Sequence, residues 1–318
     1  VEMTAKAKKA TDEKVNFFTN ISHELRTPLT LIVGPLEDAL SQPKLHYTLK
    51  YDLTMVQNNA LRLLKLVNQL MDFRKIEHNG MKLKASENDL VGFVSDIVGA
   101  FKEIAAKKHI KLDVHYSVKR LMVWFDVNML DKVLFNLLSN AFKFTKENGH
   151  VFVSIKTNKE ETHALIKVED TGVGMSPEAV EHAFELFYQE QKTMFKGAGL
   201  GLSLSRQLIE LHRGTISVQS EKWKGTAFEV SLPLGARHLL PDEMTQEANP
   251  ATTNHEEIKA YIADGAAASP EFPEGAAEPK EHSILLIEDS DNLRSFLKHI
   301  LAPNFDIYEA GNGKTGIS

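Results

Sequence analysis

The chain has no cysteine in its 318 residues, so no disulfide framework can hold it. That absence fits a reducing compartment. No apolar run approaches the roughly 18 residues that a membrane-spanning helix needs. No signal peptide opens the chain. It starts instead in a polar, helix-like stretch, Ala5-Lys-Ala-Lys-Lys-Ala10, and is expected to be a piece of something longer. Excess positive charge is missing too: 37 Lys and Arg face 43 Asp and Glu, a net charge of −6. A general nucleic-acid binder would want a basic face, so that class is disfavoured. No internal repeat is evident. What remains is ordinary for a folded chain, 42% hydrophobic and 25% charged, with length enough for about two or three domains.

Four regions separate by pattern. In residues 1–80, apolar positions run Val15, Phe18, Ser22, Leu25, Leu29, Ile32, Leu36, Leu40, and resume at Leu49, Leu53, Val56, Ala60, Leu63, Val67, Leu70. This near-heptad alternation predicts two long helices joined by a short loop at Ser41-Gln-Pro-Lys44, hence an antiparallel hairpin. Two helices cannot bury such a seam alone, so a second copy and a dimeric four-helix bundle are expected. Residues 81–235 mix strands and helices. Asp89 is expected to cap a helix running to Lys108. Strands are predicted at Ile110–Tyr116, Val151–Thr157, Ala164–Glu169, Thr215–Ser220 and Ala227–Leu232, and an amphipathic helix at Met129–Thr145. The expected fold is an α/β sandwich with helices on one face. Residues 236–282, rich in Pro, Ala, Glu and Asp, predict a flexible linker. Residues 283–318 open a parallel βαβ unit: an apolar strand from Ser283 ending in Glu288 and Asp289, a helix at Asn292–Leu301 and a second strand at Asp306–Glu309.

Four constellations carry chemistry. In the first, His23 lies one position after the seam residue Ser22, at the flank of the bundle. Imidazole is partly neutral near pH 7 and has a free ring nitrogen to accept a phosphoryl group. Glu24 can take the leaving proton or hold the other nitrogen. Thr27 shares the helical face of His23, and Pro28 should kink the helix beside it. The plainer alternative is a solvated surface histidine, which leaves a proline inside a heptad unexplained. In the second, Asn136 and Asn140 lie four apart on one helix face, with Lys143 one turn on and Phe144 beside it. Amide oxygens can join phosphate oxygens around Mg2+, and Lys143 can meet phosphate as a point charge. The third is Glu169-Asp170-Thr-Gly-Val-Gly-Met175, at a strand end. Asp170 can accept from an exocyclic amine such as adenine's, while Gly172 and Gly174 admit a flat ligand. The fourth is Lys196-Gly197-Ala-Gly199-Leu200-Gly201-Leu202-Ser203, running into a helix, a cradle of backbone amides for phosphate. The second, third and fourth could also be a polar helix face, a turn and a glycine loop without ligand. The polar run Glu190–Lys196 behind Phe184-Glu-Leu-Phe187-Tyr-Gln189 is expected to be a lid.

In this order the motifs resemble those of histidine kinases. Ser22-His-Glu-Leu-Arg-Thr-Pro28 resembles the H box and the Asn136–Asn140 segment the N box. Asp170–Gly174 resembles the G1 box, Phe184–Tyr188 the F box, Gly197–Leu202 the G2 box, and Gly225-Thr226-Ala-Phe228 the closing strand motif. The resemblance covers residues 10–235 as a dimerisation and phosphoacceptor hairpin followed by an ATP-binding domain of the Bergerat type. It implies that ATP phosphorylates His23 with help from Glu24, and that Asn140 and Asn136 hold Mg2+. It also implies that Asp170 reads adenine, that the Gly197–Gly201 loop closes on the phosphates, and that Thr27 positions water for phosphatase action. Lys132 departs from the family, standing where many members carry Glu or Gln, which puts a general base there in doubt.

Residues 283–317 resemble the start of a response-regulator receiver domain, with Glu288 and Asp289 as part of its Mg2+ site and its phosphoacceptor aspartate beyond the chain. The whole resembles a hybrid sensor kinase truncated in its receiver. Its expected partners are a second copy, a receiver in the same chain or a separate response regulator, and an upstream membrane-spanning sensor. That places it on the cytoplasmic side of a bacterial inner membrane. The competing readings are a Bergerat ATPase of another class and a degenerate scaffold that only dimerises. A hinge is expected near Lys75–Glu87, so that the nucleotide domain can swing towards His23.

Overall fold

The computed structural model describes residues 28–36, 39–40, 45, 47–77, 81–189, 199–245, 280, 282–288, 294, 297–298, 301–302 and 304–317. His23, Glu24, Thr27, Lys196, Gly197 and Asp289 lie outside the described residues, as do the helix loop and most of the expected 292–301 helix. The chain divides into two compact units. The first holds the described residues up to 245 and the second those from 280 onward.

Residues 28–36 are helical, and the second predicted helix is α1, Tyr47–Glu77, 31 residues without glycine or proline. Arg74 and Lys75 in its last turn complement the helix dipole. Its two faces differ. Ala60, Leu61, Met71 and Phe73 are buried, whereas Leu49, Val56 and Leu63, seven apart, are 50%, 49% and 52% exposed. All three exposed residues are seam positions of the heptad.

The α/β portion begins with β1 (Ser86–Asp89), α2 (Leu90–Ala100), α3 (Lys102–Lys107), β2 (Lys111–Tyr116), β3 (Met122–Phe125) and α4 (Val127–Phe144). Then come β4 (His150–Thr157), β5 (His163–Asp170), α5 (Pro177–Glu181), α6 (Gly201–Leu211), β6 (Thr215–Glu221) and β7 (Gly225–Pro233). Five strands form one sheet in the order β2-β4-β5-β7-β6, with only the β2–β4 pair parallel. Alternate residues Val151, Val153, Ile155, Ala164, Ile166, Val168, Phe228, Val230 and Leu232 are buried on its inner face. Leu130, Leu134, Leu137, Leu138 and Phe142 of α4 and Leu204, Leu208 and Ile209 of α6 are buried in the same core. Each such side chain contributes about 1.5–3 kcal/mol relative to exposure.

Asp89 does cap α2, accepting from Val91 N at 3.2 Å and Leu121 N at 3.1 Å. The single helix expected to reach Lys108 is instead broken at Phe101. That ring is fully buried between Phe135 and Phe142, with centroids 5.3 and 5.4 Å away. The short pair β1–β3 is an addition, too brief and polar in β1 to show alternation. The expected linker start at 236 is corrected. Leu239 is buried, and Ala85 and the 243–245 segment exchange backbone hydrogen bonds, Ala85 N to Glu243 O at 2.7 Å and Thr245 N to Ala85 O at 2.9 Å. Arg213 adds an ion pair to Glu243 at 2.7 Å. Leu83 and Ala85, inside the stretch where a hinge is expected, belong to the core.

One buried histidine ties two helices together. His212, just after α6, accepts from Asp126 N on Nε2 at 3.0 Å, and its Nδ1 lies 2.7 Å from Leu208 O. Asp126 in turn caps α4, its carboxylate accepting from Asn128 N at 3.0 Å and Met129 N at 3.2 Å. Burial holds His212 below the usual imidazole value of 6.5, against the opposing pull of the Leu208 carbonyl. The folded state therefore binds fewer protons than the unfolded chain below that value. Stability contributed by neutral His212 is present above pH 6.5 and falls as pH drops through the window beneath it. His212→Ala should cost about 2–4 kcal/mol in urea unfolding at pH 7.5 and flatten the acid limb of stability against pH. An unchanged acid limb would remove His212 as its cause.

The second unit pairs β8 (Ser283–Ile287) with β9 (Asp306–Ala310) in parallel, followed by α7 (Gly313–Ile317). The parallel pairing is the one the sequence pattern predicts. Glu288 follows β8 and donates its N–H to Ala310 O at 3.1 Å.

Candidate functional site

Asp170 ends β5 opposite Thr226 of β7. Its carboxylate accepts from Gly172 N at 2.8 Å and also from the Thr226 backbone. Burial pushes its pKa from 3.8 up to about 6, with the hydrogen bonds from Gly172 and Thr226 pulling the other way. A carboxylate held at such a cost at a strand end is a marker of a functional site.

The turn after Asp170 is shaped by close approaches. A Cβ on Gly172 would fall 2.4 Å from Phe144 O, the carbonyl that accepts from Val173 N at 3.2 Å. Gly174 has φ +63, and its Cβ would meet Glu221 O at 2.0 Å. Gly225 has φ +112 and lies with its Cβ position 1.8 Å from Asp170 O. Thr226 Oγ1 and Ser220 Oγ are 2.9 Å apart, and Ser220 Oγ also accepts from Met175 N at 2.8 Å. The structure thus gathers Asp170, Gly172, Gly174, Phe144 and Thr226 into one constellation.

Asn136 belongs to a second cluster, with the start of α6. Its Nδ2 donates to Ser205 Oγ at 3.0 Å, and Ser205 donates to Gly201 O at 2.9 Å. The Gly201 Cβ position is 2.4 Å from Asn136 Oδ1, so only glycine lets the helix start this close. The amide is thereby oriented with its nitrogen engaged, which leaves Oδ1 as the acceptor, the donor type a hard cation such as Mg2+ takes. Asn140 is half-buried one turn further along α4. Lys143 Nζ lies 5.2 Å from the Phe144 ring centroid.

Leu200 is buried and Leu202 packs at the core edge. The described ends on either side of the expected lid meet: Phe187 N donates to Gly199 O at 3.0 Å, with φ +61 at Phe187 and +67 at Gly199. Phe187 is 66% exposed, whereas Phe184 packs on Phe228 with centroids 6.4 Å apart. Glu288 belongs to the second unit. Among the described residues there is no cluster of three or more His, Cys, Asp or Glu that could hold a metal ion.

The sequence reading missed Asp126, Ser205 and His212. Asp126 stands before Val-Asn-Met as a cap signal, and Ser205 is four residues after Gly201. Nothing local marks His212, whose partner is 86 positions away.

Comparison with known proteins follows the same division. Residues 13–79 match the family described as His Kinase A (phospho-acceptor) domain. Residues 125–236 match that described as Histidine kinase-, DNA gyrase B-, and HSP90-like ATPase. A histidine kinase of Formosa agariphila is 37% identical over 311 residues, covering 96% of this chain and 22% of that protein. The sensor histidine kinase TmoS of Ectopseudomonas mendocina is 35% identical over 323 residues, 98% of this chain and 32% of that protein. The chain thus spans about a fifth to a third of these curated relatives. The crystal structure of full-length ShkA in complex with AMPPNP shares the fold. Its TM-score is 0.59 at 22% identity, over 95% of this chain and 57% of that one.

Proposed function

The chain is built as a protein-histidine kinase, carrying that family's phosphoacceptor and ATPase domains, and from this premise we propose that it transfers the γ-phosphate of ATP to His23. The observation that carries the proposal is Asp170, a carboxylate kept beneath a glycine-shaped turn with its pKa raised to about 6. A carboxylate in that setting is a candidate to accept from a ligand amine. The adenine amine would sit on Asp170. Asn136 and Asn140 would supply amide oxygens to Mg2+, which neutralises phosphate charge when bound. Lys143 and the amides of the Gly197–Gly201 loop would meet the phosphates, with Lys196, Leu200, Leu202 and Phe187 forming the mouth. Phosphoryl transfer asks mainly for positioning and charge neutralisation, which this set of groups supplies. Glu24 would assist at His23.

The exposed stripe Leu49, Val56, Leu63 supports a homodimer through the hairpin, since a heptad row of apolar residues is a coiled-coil seam. A monomeric mass by sedimentation would remove that part of the proposal. The phosphoryl group would pass to a receiver aspartate. The segment from Ser283, with Glu288 and Asp289 at its strand end, is our candidate for the start of a receiver in the same chain, and a separate response regulator is the other recipient. Thr27 would position water in the phosphatase direction. No helix among the described residues is long and apolar enough to cross a membrane. By likeness to relatives such as the sensor histidine kinase TmoS, an upstream membrane-spanning sensor is our proposed partner, with this chain acting on the cytoplasmic side. The His Kinase A match disfavours an ATPase of another class.

Incubation with γ-labelled ATP and Mg2+ tests the reading. The chain should acquire label that is lost in acid and kept in alkali. Acid-stable label, or none, would refute it.

A further inference from the structure

One row of side chains crosses the end of the sheet at the nucleotide site. Asp170 of β5 stands opposite Thr226 of β7, and Thr226 stands opposite Ser220 of β6. Two residues inward on the same strands the row is Val168, Phe228 and Val218, of which Val168 and Phe228 are buried in the core. Side chains two apart on a strand share a face, so Asp170, Thr226 and Ser220 all project on the inner side of the sheet. Thr226 lies between the carboxylate and Ser220. The proposed chemistry uses Asp170 and Thr226 and leaves Ser220 without a task.

The hydroxyl of Ser220 has one proton and two lone pairs. Three groups meet it. Met175 N donates to it at 2.8 Å, and Gly225 O and Thr226 Oγ1 each lie 2.9 Å away. A backbone N–H can only donate and a backbone carbonyl can only accept. Meeting both leaves Ser220 with its proton on Gly225 O, one lone pair on Met175 N and one lone pair over. The contact with Thr226 is then complete only when Thr226 donates. Thr226 also has a single proton, and that proton is committed to Ser220. Its Oγ1 keeps only lone pairs for a ligand. The ionised Asp170 is acceptor-only as well. Side by side, the two side chains offer acceptors and no donor.

We infer that Ser220 is a positioning residue that makes the site select a purine with an exocyclic amine over one with an exocyclic carbonyl, by holding the Thr226 hydroxyl as an acceptor. The inference rests on the nucleotide reading of the Asp170 site and deepens it. An exocyclic amine carries two N–H donors, which a wall of acceptors suits. An exocyclic carbonyl is itself an acceptor and would face a carboxylate and a hydroxyl whose proton points away. A freed Thr226 hydroxyl can rotate and donate to that carbonyl. Ser220 removes this adaptation. Discrimination then comes from an unpaired polar group in the wrong complex, not from an added contact in the right one.

ATP and inosine triphosphate differ only along this purine edge. Their affinities for the full chain with Mg2+, read by displacement of a fluorescent nucleotide at a pH where Asp170 is ionised, give a preference ratio. The parent should favour ATP. Ser220→Ala should lower that preference about three- to tenfold, the worth of one neutral hydrogen bond. Should Ser220→Ala not fold, Ser220→Cys, whose thiol is a weak hydrogen-bonding group, should shift the ratio in the same direction. Ser220→Thr keeps a hydroxyl and should hold the ratio within about twofold of the parent. Thr226→Val removes the group through which Ser220 acts, so adding Ser220→Ala to it should change the ratio by less than about twofold. A Ser220 that served only the fold would weaken both nucleotides together and leave the ratio alone. An unmoved ratio, an equal shift on the Thr226→Val background or a failure of Ser220→Thr to hold the ratio would each overturn the inference. A parent that binds ATP without preference overturns it too and leaves the ATP reading standing. A parent that binds neither nucleotide ends both. If the ratios respond as stated while no label reaches His23, the inference stands and the transfer reading is what fails.

Discussion

Asp170→Asn should make the chain nearly blind to ATP while leaving the unliganded protein at least as stable as before. The two halves of this expectation have one cause. In the folded chain burial raises the Asp170 pKa from 3.8 to about 6. For an acid, a raised folded value means that the charged form is disfavoured by folding. Stability is therefore lost as pH rises from about 4 to about 6, and at pH 7 the buried charge costs about 3 kcal/mol. Asparagine keeps an oxygen for Gly172 N and Thr226 N but removes that charge. What it cannot do is accept from adenine through a charged oxygen while both existing donors stay satisfied. A hydrogen bond to a charged group contributes about 2–3 kcal/mol, so ATP affinity should fall roughly 30- to 150-fold. Titration with a fluorescent nucleotide reads the affinity, and thermal unfolding without nucleotide reads the stability. The parent should also lose affinity as pH drops below about 6, where Asp170 takes up a proton, and Asp170→Asn should not share that loss. A variant that binds ATP normally, or one that loses both binding and stability, would return Asp170 to a structural role.

The parts of this molecule that a reader of sequence can find are those written in local spacing. The strands β4, β5, β6 and β7 alternate at period two, and the structure reproduces them within two residues at each end. Asn136 and Asn140 declare a helix face because the residues between them are apolar. Gly172, Gly174 and Gly201 stand out because glycine is costly unless a backbone must come close, and at each a Cβ would collide. The roles of these residues came from resemblance, which added chemistry to spacing. What stayed hidden depends on partners far apart in the chain. Asp126 and His212 are 86 positions apart, and the ion-paired Asp72 and Lys132 are 60 apart. Each of these residues alone is an ordinary cap, histidine or surface charge. The short strand β1 exists because β3 offers it a partner, not because Ser-Glu-Asn-Asp favours extension. The tail beyond β7 is composed like a linker, yet it is held to Thr245 by backbone hydrogen bonds to Ala85, which composition does not encode.

His23→Ala should abolish acid-labile labelling from γ-labelled ATP and leave ATP affinity within about twofold of the parent. Loss of Glu24 would only slow the arrival of a phosphoryl group at its acceptor, since general acid–base help is worth roughly 10²–10⁴-fold. Loss of the acceptor leaves no bond to form. An imidazole can act near pH 7 both as nucleophile and as a carrier that passes the phosphoryl group on. Nucleotide affinity should not move, because Asp170, the Gly172–Gly174 turn and Asn136 are built from β5, α4 and α6, outside the phosphoacceptor segment. The control that separates acceptor from fold is a mixed dimer, one chain carrying His23→Ala and the other Asp170→Asn. Either chain alone is silent, the first for want of an acceptor and the second for want of ATP. Label recovered in the mixture on the Asp170→Asn chain would show that an intact ATP site in one chain serves His23 in its partner. Silence in the mixture, with both single variants folded and dimeric, would show that each chain phosphorylates itself. Label persisting on His23→Ala alone would end the assignment of His23, whatever the ATP site does.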